Sequence, residues 1–550
     1  MKETSAWGPA HWIVAIALGI GLCAAVMGGA WFDLGQSLPG VYNDDWANGV
    51  YLHHQVHEAL AAGRLDLSDP NQFFPFGYNP VHTNGGNSLE MVVSGLFRMA
   101  LPWPYWLSVA ALAWIPLNLL AFVPLGRRLW DRPSVILAAA ATWAVFPPVL
   151  DHIGAGRLTQ AALIGLPLAV AGMLDVAHGG GRRSRWLAAA GWALTGLGYW
   201  YNALFVGLFL PAIWWALRTP GNGLRFAREL LQVAAMALAM VSPVLLVVFW
   251  PVLMGGSMPG SHIDPTQMNI VFPDALHLVG GQAPGLVNWL PYSMMAGIGL
   301  FAVAGRRRAL WGSLMAMGVV CALGPGQEIA GTAYRMPYWL LWKTVPGLAS
   351  MFHPDRWILV TGLFLSIAAV DGFAARLPRV AWAVPLGVMV QLWVRGDAPM
   401  ATWTPSVPPH WQALASDTEP GAVIVIPMDY GQLAGQYQRV HGRPLLGGML
   451  EDQPWRHPPE WRAYVAGNEV LRRLRSVSYG QGELGEPSAA AWAQLESDGF
   501  SHIVYDAESW VKSQRRADVH PAAHLRSSLG EPDFESPSGM VWRLPSTREP

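Results

Sequence analysis

The sequence is poor in cysteine and in charge. It has two cysteines in 550 residues, Cys23 and Cys321, and both lie inside apolar runs. Such thiols are expected to pack as small apolar side chains, which argues against a cysteine metal site and against a disulfide in the polar C-terminal part. Charged residues make up 13% of the chain and the net charge is −1, which argues against a nucleic-acid partner.

Long apolar runs are abundant instead. Hydrophobic residues make up 52% of the chain, more than in an average soluble domain. Because roughly 17 to 25 apolar residues in a helix cross the hydrocarbon core of a bilayer, the runs predict a mainly α-helical membrane bundle. Eleven spans are predicted, near residues 12–32, 105–125, 133–150, 159–177, 186–200, 203–217, 230–253, 288–304, 309–324, 357–375 and 380–395.

The gaps between these runs differ in charge. Fifteen of the 35 Lys and Arg residues lie at the N-terminus or in five gaps, which alternate with gaps that carry acidic, histidine and aromatic residues. Cytoplasmic loops of membrane proteins are enriched in Lys and Arg, so the N-terminus is predicted inside and the segment after residue 395 outside. The fifteen residues are Lys2, Arg127, Arg128, Arg132, Arg182, Arg183, Arg185, Arg218, Arg225, Arg228, Arg306, Arg307, Arg308, Arg376 and Arg379.

The runs at 186–200 and 203–217 are short for two crossings, and one long tilted helix is the alternative. One crossing fewer would turn the later arginine clusters outward, so the charge pattern favours two helices with a break at residues 199–202. Unpaired backbone at such a break needs protein or water around it. Tyr199 and Tyr201 are therefore expected to line a cavity.

Two domains are predicted from this pattern. Residues 1–395 form a transmembrane domain that includes an outer loop at 33–104, and residues 396–550 form an extracytoplasmic α/β domain. In the latter domain, alternating and apolar runs predict strands at 422–427 and 501–505 and helices at 460–474 and 489–497.

Two adjacent carboxylates begin a helical segment in the outer loop. Asp44 and Asp45 precede residues 47–62, whose apolar residues recur at helical spacing. Asn43 or Asp44 could cap this helix, with the remaining acid favoured by its positive end. Capping does not require two acids at a membrane surface, and the alternative is that one of them is a general base.

The same helix carries histidines at helical spacing. His53 with His57, and His54 with Glu58, are four residues apart and so share a helix face. His53 and His57 could hold a divalent metal, the one cofactor the sequence suggests, although no third ligand is apparent and a solvated or interfacial histidine face is the alternative. The aromatic turn that follows, Phe73 to Tyr78, is expected to pack the loop onto the helical bundle.

Four cations lie at the predicted outer surface, against the general charge pattern. Each could reach water or pair with a neighbouring acid, Asp151 or Asp355. Together, near an acidic loop, they predict an anionic ligand, and a phosphate is the natural candidate. The four are Arg157, Arg356, Arg335 and Lys343, and the residues expected to line the cavity or the acceptor site are His54, Glu58, His152, Tyr199, Tyr201 and His353.

Read in chain order, these segments resemble the GT-C superfamily of integral-membrane glycosyltransferases, in particular bacterial members with a C-terminal extracytoplasmic domain. The resemblance covers roughly residues 10–395 in architecture. The segments that carry it are the acidic first loop with its FPFG turn, HIGAGRLTQ at 152–160, YWYN at 199–202, HPDRW at 353–357 and QYQRVHGRPLLGG at 436–448.

The resemblance implies a hexosyltransferase-like enzyme of the bacterial inner membrane. Such enzymes move a sugar, with inversion, from a polyprenyl-phosphate carrier to a lipid, glycan or protein acceptor on the outer face. An acid of the first outer loop acts as base or positions a metal, and Asp44 and Asp45 are the matching residues. Arg157 and Arg356 are the first candidates to neutralise the departing phosphate.

Two other functions are compatible with a polytopic chain. A transporter of lipid-linked sugars would need ionisable groups near the middle of the bilayer and an internal repeat, and neither is apparent in the sequence. A GT-C relative without activity, serving as a subunit of an envelope complex, is opposed only by the presence of the Asp pair.

Overall fold

The computed structural model describes residues 7–64, 68–79, 88–217, 223–253, 290–305, 307–329, 332–345, 348, 354–449, 451, 457–480, 484–513 and 520–545. Most of these residues are helical. They fall into two compact units. The first lies within Met1–Val41, Asn87–Val247 and Ile263–Thr404, and the second within Tyr42–Gly86, Val248–His262 and Pro405–Pro550.

Helices are numbered along the chain, and most of them begin in the first unit. Those of the first unit are α1 Pro9–Met27, α3 Leu89–Arg98, α4 Tyr105–Leu129, α5 Pro133–Ala144, α6 Pro147–Gly154, α7 Leu158–Ala161, α8 Gly165–Ala177, α9 Arg182–Gly198, α10 Trp200–Leu217, α11 Gly223–Leu253, α12 Tyr292–Ala304, α13 Arg308–Ala322, α14 Tyr338–Thr344, α15 Trp357–Ala374 and α16 Ala383–Arg395. The unit also has short strand pairs, β1 Leu38–Pro39 with β4 Thr402–Trp403, and β2 Gly326–Ile329 with β3 Thr332–Arg335.

Several helical segments of the first unit are long and apolar enough to cross a membrane. Every run predicted as a span overlaps a helix, while the count of eleven crossings stays a prediction. Five segments qualify among the described residues: Pro9–Asp33, Tyr105–Leu129, Leu158–Ala177, Gly223–Leu246 and Trp357–Ala374. A sixth candidate is α5 together with α6, which meet at a bend of 42°. Cys23 and Cys321 are buried and unbonded to each other.

Arginines near the helix ends make ion pairs. Arg128 of α4 binds Asp175 of α8 through two bonds, from Nε at 2.8 Å and from Nη2 at 2.6 Å. Arg185 of α9 lies 2.9 Å from Glu229 of α11. Half-exposed pairs of this kind contribute about 1 kcal/mol or less, so they align helix ends more than they stabilise the fold.

The predicted break between α9 and α10 is confirmed. Tyr199 lies between the two helices in an extended conformation, with φ −159° and ψ 116°. The backbone freed by the break is satisfied inside the protein, because the Ser88 N–H donates to the Leu197 carbonyl at 2.9 Å. This is what irregular backbone in an apolar environment requires.

A polar side chain of α4 stabilises the neighbouring linker between α7 and α8. The buried amide of Asn118 donates to the Ala161 carbonyl at 2.9 Å and accepts from the Leu163 N–H at 3.1 Å. The Ala161 carbonyl ends α7 and the Leu163 N–H lies in the linker after it, so neither is bonded within a helix. Asn118 therefore fixes the segment that follows Arg157.

A four-stranded mixed sheet organises the second unit. Its order is β5-β6-β8-β7, with β5 parallel to β6 and the other pairs antiparallel. The strands are β5 Ala422–Ile426, β6 Phe500–Asp506, β7 Phe534–Ser536 and β8 Gly539–Arg543. The helices are α2 Asp44–Ala61, α17 Pro409–Ser416, α18 Gln438–His441, α19 Pro459–Gly467, α20 Glu469–Ser478, α21 Ala489–Ser497, α22 Ala507–Lys512 and α23 Pro521–Leu529.

The secondary structure of this unit follows the sequence with one exception. Every residue of β5 and β6 is buried, as expected for parallel strands covered on both faces. The helix predicted at 460–474 is wrong as a single element. Asn468 divides it into α19 and α20, because its side chain accepts the Leu471 N–H at 3.1 Å and so caps a new helix.

The middle of the first outer loop, within Tyr42–Gly86, belongs to this same unit, while its β1 and α3 belong to the first. The Phe73 and Phe74 N–H groups donate to the carbonyls of Gly447 and Leu445 at 2.9 and 3.0 Å. The Phe73 ring is fully buried and meets Trp461 edge-on at 5.5 Å. The aromatic turn therefore packs the loop onto the C-terminal segment, and the expectation that it packs onto the helical bundle is wrong.

Candidate functional site

The cap of helix α2 is Asn43. Its Oδ1 accepts the Trp46 N–H at 2.9 Å, and its carbonyl accepts the Ala47 N–H at 3.0 Å. Asp44 and Asp45 are the first two residues of the helix, where the positive end favours a carboxylate. Capping therefore accounts for Asn43 and leaves both acids for another role.

Asp44 is paired with a lysine from the far end of the chain. The Lys512 ammonium lies 3.5 Å from Asp44 Oδ1 and 3.7 Å from Glu508 Oε1. It also lies 4.0 Å from the centroid of the Tyr42 ring, a cation–π contact. Sequence reasoning missed Lys512 because 468 residues separate it from Asp44 and no local motif marks it.

The elements that carry this cluster are anchored at the end of a parallel strand. Asp506 ends β6, and its Oδ2 caps α22 by accepting the Ser509 N–H at 2.9 Å. Its Oδ1 lies 3.2 Å from Nε2 of the buried His410. The carboxyl ends of parallel strands are common ligand sites in α/β sheets, and Asp506 places α22 there.

The histidine face of α2 is buried. The exposed fractions of His53 and His57 are 2% and 7%, and their ring centroids are 6.0 Å apart. Burial lowers the pKa of His53 to about 3, with the charges of His57 and His54 adding to the effect. The alternative of a solvated histidine face is therefore wrong for these two residues, because α2 packs against the 3₁₀ turn Gly431–Tyr437.

The second pair of α2, His54 and Glu58, is less buried than His53 and His57. His54 is half-buried and Glu58 is exposed. Neutral imidazole is the form that binds metals, so the chemistry of His53 and His57 suits a cation. Two histidines are too few for such a site, since zinc sites use at least three protein ligands. In the described part of the chain, no group of three or more His, Cys, Asp or Glu residues is placed to hold a metal ion.

In the first unit, Arg356 and Tyr199 are in contact. Arg356 ends the 3₁₀ turn Pro354–Arg356 just before α15, and its Nη1 donates to the Tyr199 hydroxyl. Its guanidinium carbon lies 5.5 Å from the centroid of the Tyr199 ring, which meets Tyr201 edge-on at 5.0 Å. A guanidinium has five N–H groups, so this bond is compatible with a bidentate phosphate contact.

Aromatic packing holds this pair in place. Trp357, the residue after Arg356, is fully buried and stacks on Phe205 of α10 with centroids 3.9 Å apart. Asn202, one turn after Tyr199, is also fully buried. Neither atom of its amide has a hydrogen-bond partner among the described residues. Burial without partners is unfavourable, and this makes Asn202 a candidate for ligand contact.

Arg157 lies in the turn between α6 and α7. Its N–H donates to the His152 carbonyl at 2.8 Å, and Gly156 before it has φ +76°, which glycine adopts without strain. His152 is buried, with an exposed fraction of 9%, and Arg157 is half-buried. Arg157 interacts electrostatically with Asp151, the acid that the sequence suggested as its partner.

The other two candidate cations share one aromatic ring. The Arg335 guanidinium carbon and the Lys343 ammonium lie 4.6 and 5.2 Å from the centroid of Trp339. Both side chains are exposed. His353, the last of the predicted lining residues, lies outside the described residues.

One buried acid of the first unit escaped sequence reasoning. Glu90 of α3 is 6% exposed, and burial raises the pKa of its carboxyl to about 8, against a hydrogen bond with the Thr159 backbone that lowers it. It lies two residues after Ser88, whose N–H binds the end of α9. A lone Glu in an apolar stretch carries no signal of burial, so only the packing reveals it.

Solved structures share this architecture. The arabinofuranosyltransferase AftD from Mycobacteria superposes with a TM-score of 0.57 at 16% identity, covering 98% of this chain and 42% of that one. AftD is a GT-C glycosyltransferase, and the likeness shows that this chain shares its fold. The oligosaccharyltransferase AglB from Archaeoglobus fulgidus, solved with an inhibitory peptide and a dolichol-phosphate, superposes with a TM-score of 0.50 at 13% identity, covering 91% of this chain and 70% of that one.

The GT-C fold is recognised here through structure alone. No protein-family model matches the chain, and no curated protein matches it by sequence. The chain spans 42% of the length of AftD. At identities of 16% and 13%, the likeness establishes the fold, and the activity has to be argued from this chain's own residues.

Proposed function

We propose that this chain is a glycosyltransferase that moves a sugar from a polyprenyl-phosphate carrier to an acceptor hydroxyl, with inversion. The observation that carries the proposal is the position of Asp44, a carboxylate at the start of α2 that does not cap the helix and contacts a lysine. The GT-C fold supports it, and AglB was solved with a dolichol-phosphate, a lipid phosphate of the same class.

Asp44 serves as the general base in this mechanism. Its carboxylate takes the proton of the acceptor hydroxyl as the new C–O bond forms, while the bond between the sugar and the phosphate oxygen breaks and the phosphate leaves with the electron pair. Asp45, exposed and one residue further, is the alternative base. Of the two, Asp44 is the better candidate because the Lys512 ammonium, 3.5 Å from its Oδ1, can orient it.

Cations of the first unit hold the lipid phosphate. Arg356 is the leading residue because its guanidinium is bonded to Tyr199 and its backbone is fixed by the next residue, Trp357, which is buried and stacked on Phe205. Arg157 is the second, and the exposed Arg335 and Lys343 are further candidates at the rim. Positive charge at this point opposes the negative charge that develops on the leaving phosphate.

The proposed location is the bacterial inner membrane, with the second unit on the extracytoplasmic side. The apolar segments of the first unit and the arginine-rich gaps support this orientation. Lipid-linked donors present their phosphate at the membrane surface, which suits a base and cations outside the hydrocarbon core.

The test combines variants with donor choice. Purified protein in liposomes is supplied with a panel of polyprenyl-phosphate sugars, and release of polyprenyl phosphate with transfer is followed. Asp44→Asn is expected to lower turnover by about 10² to 10⁴-fold, the usual loss for a general base. Asp45→Asn and the double variant assign the role between the two acids. Glu460→Gln is the matched control, an exposed acid in the first turn of α19, and should leave turnover unchanged.

Two results would overturn the proposal. One is full activity in the Asp44→Asn, Asp45→Asn double variant. The other is robust transfer from nucleotide-sugars alone, in lipid free of polyprenyl phosphates.

A further inference from the structure

We propose that Lys512 is the positioning residue of the base, holding the Asp44 carboxylate in one orientation from the opposite end of the chain. The inference rests on the proposed function, since it takes Asp44 as the base. It adds a residue from the C-terminal segment to a reaction whose other candidates come from the first 356 residues.

The geometry confines the lysine on three sides. Its ammonium meets two carboxylates, Asp44 at 3.5 Å and Glu508 at 3.7 Å, and the face of the Tyr42 ring at 4.0 Å. Its side chain is 27% exposed and that of Asp44 is 45% exposed. An isolated pair with this exposure would contribute little to stability, so the effect inferred for the lysine is on the aim of the carboxylate.

Further contacts hold both Tyr42 and helix α22, which carries Lys512, in place. The Tyr42 hydroxyl accepts a hydrogen bond from Nε2 of Gln436. Helix α22, which ends at Lys512, is capped by Asp506, and Asp506 is itself paired with the buried His410. The flexible four-carbon side chain of Lys512 is thereby restricted to one region.

The surrounding charges show why a cation is needed here. Burial raises the pKa of Glu508, and the charges of Asp506 and Asp44 add to the rise while Lys512 opposes it. The carboxylates thus repel one another, and the ammonium offsets the repulsion. The charged and titratable groups that interact with Glu508 or with Tyr42 are Asp44, Asp506, Lys512 and Tyr437.

The test is the kinetic profile, kcat and KM measured together with polyprenyl-phosphate sugar, of Lys512→Met and Lys512→Arg. Methionine keeps the apolar stem and removes the charge. It should lower kcat about tenfold and leave KM for the donor unchanged, because the carboxylate loses the cation that aims it while the phosphate site is untouched. Arginine keeps the positive charge and should recover most of the lost kcat.

A second readout separates positioning from packing. In the Asp44→Asn background, Lys512→Met should cause no further loss, because the two residues act together. The control is Arg526→Met, a cation of α23 that also pairs with two carboxylates, Glu531 at 2.8 Å and Glu535. It should leave the profile unchanged.

The outcomes distinguish this inference from the function on which it rests. If the Asp44 and Asp45 variants keep full activity, the proposed function fails. If Asp44→Asn is inactive while Lys512→Met keeps the wild-type kcat, or while Lys512→Arg loses as much kcat as Lys512→Met, the role of Lys512 as a positioning residue is refuted and the proposed function stands.

Discussion

The two compact units hold their candidate polar groups by different means. In the first, Arg356 bonds to one tyrosine and is followed by a buried, stacked tryptophan. In the second, Asp44 and Lys512 are partly exposed and meet at 3.5 Å. One arrangement is fixed by aromatic packing and the other by charge.

That difference has a functional consequence. A guanidinium bonded to a tyrosine is held in one orientation, which suits binding of a phosphate in a defined place. A partly exposed carboxylate beside an ammonium remains open to solvent and substrate, which suits a group that must accept a proton. In the proposed mechanism, the first unit therefore binds the phosphate and the second transfers the proton.

The largest expected effect within this comparison comes from Arg356. Arg356→Ala should lower kcat/KM for a polyprenyl-phosphate sugar by about 10²-fold, because a preorganised donor to developing charge is lost. Arg356→Lys should recover only part, since lysine lacks the bidentate fork. Tyr199→Phe removes the hydroxyl that accepts the hydrogen bond from Arg356, and it should lower kcat/KM less than Arg356→Ala does. Steady-state kinetics in liposomes measure all three.

Arg379→Ala is the control, an exposed arginine of the same unit. Unchanged kinetics for Arg356→Ala would break the comparison, because the Arg356–Tyr199 contact would then be structural rather than a binding site.

An intermediate effect is expected from Asn202. Asn202→Leu should lower transfer about tenfold, since a missing buried hydrogen-bond partner to a ligand costs about 1–3 kcal/mol. The same change should raise the unfolding temperature, because it removes a buried amide with no partner among the described residues. Thr195→Val is the contrast. Its hydroxyl is bonded to the Gly191 carbonyl at 2.8 Å, so its loss should not stabilise the protein.

Both changes are read from thermal unfolding and from turnover of the same preparations. If Asn202→Leu lowers stability and leaves turnover intact, the amide has a structural partner and no place in ligand binding.

The smallest expected effect is an opposite pH dependence of stability in the two units. His53 has its pKa lowered from 6.5 to about 3. Its contribution to stability is complete above pH 6.5 and is lost as pH falls toward 3, because the unfolded chain binds the proton first. Glu90 has its pKa raised from 4.5 to about 8. Its contribution is complete below pH 4.5 and is lost as pH rises toward 8.

Unfolding temperature against pH measures both effects. His53→Gln should flatten the acid limb alone, and Glu90→Gln the alkaline limb alone. A single variant that altered both limbs, or the opposite one, would contradict the assignment of the two groups.

Several elements of the fold could be predicted because their signals are local. Apolar runs of sufficient length predict helices, and each predicted run overlaps one. The break at Tyr199 follows from a charge pattern that a single helix would violate. Strands β5 and β6 follow from short β-branched and aromatic runs. Such signals need no knowledge of what packs against them.

Apart from the helix at 460–474, which a local cap divides, the errors and omissions share one cause. The histidine face of α2 and the turn at Phe73 were expected to face solvent or the bundle, yet their partners lie more than 300 residues away in the C-terminal segment. Lys512 and Glu90 were missed for the same reason. A side chain's role depends on which distant surface covers it, and spacing along one helix does not record that.

By itself, the sequence determined the apolar helices, the alternation of charge between their ends and the residue types from which a base and a phosphate site can be chosen, because these depend on neighbours within a turn or a span. Only the tertiary structure decided which acid has a cation beside it, which histidines are buried and which unit contains the middle of the first outer loop. Those properties depend on contacts between segments such as Asp44 and Lys512, 468 residues apart, and such contacts exist only once the chain has folded.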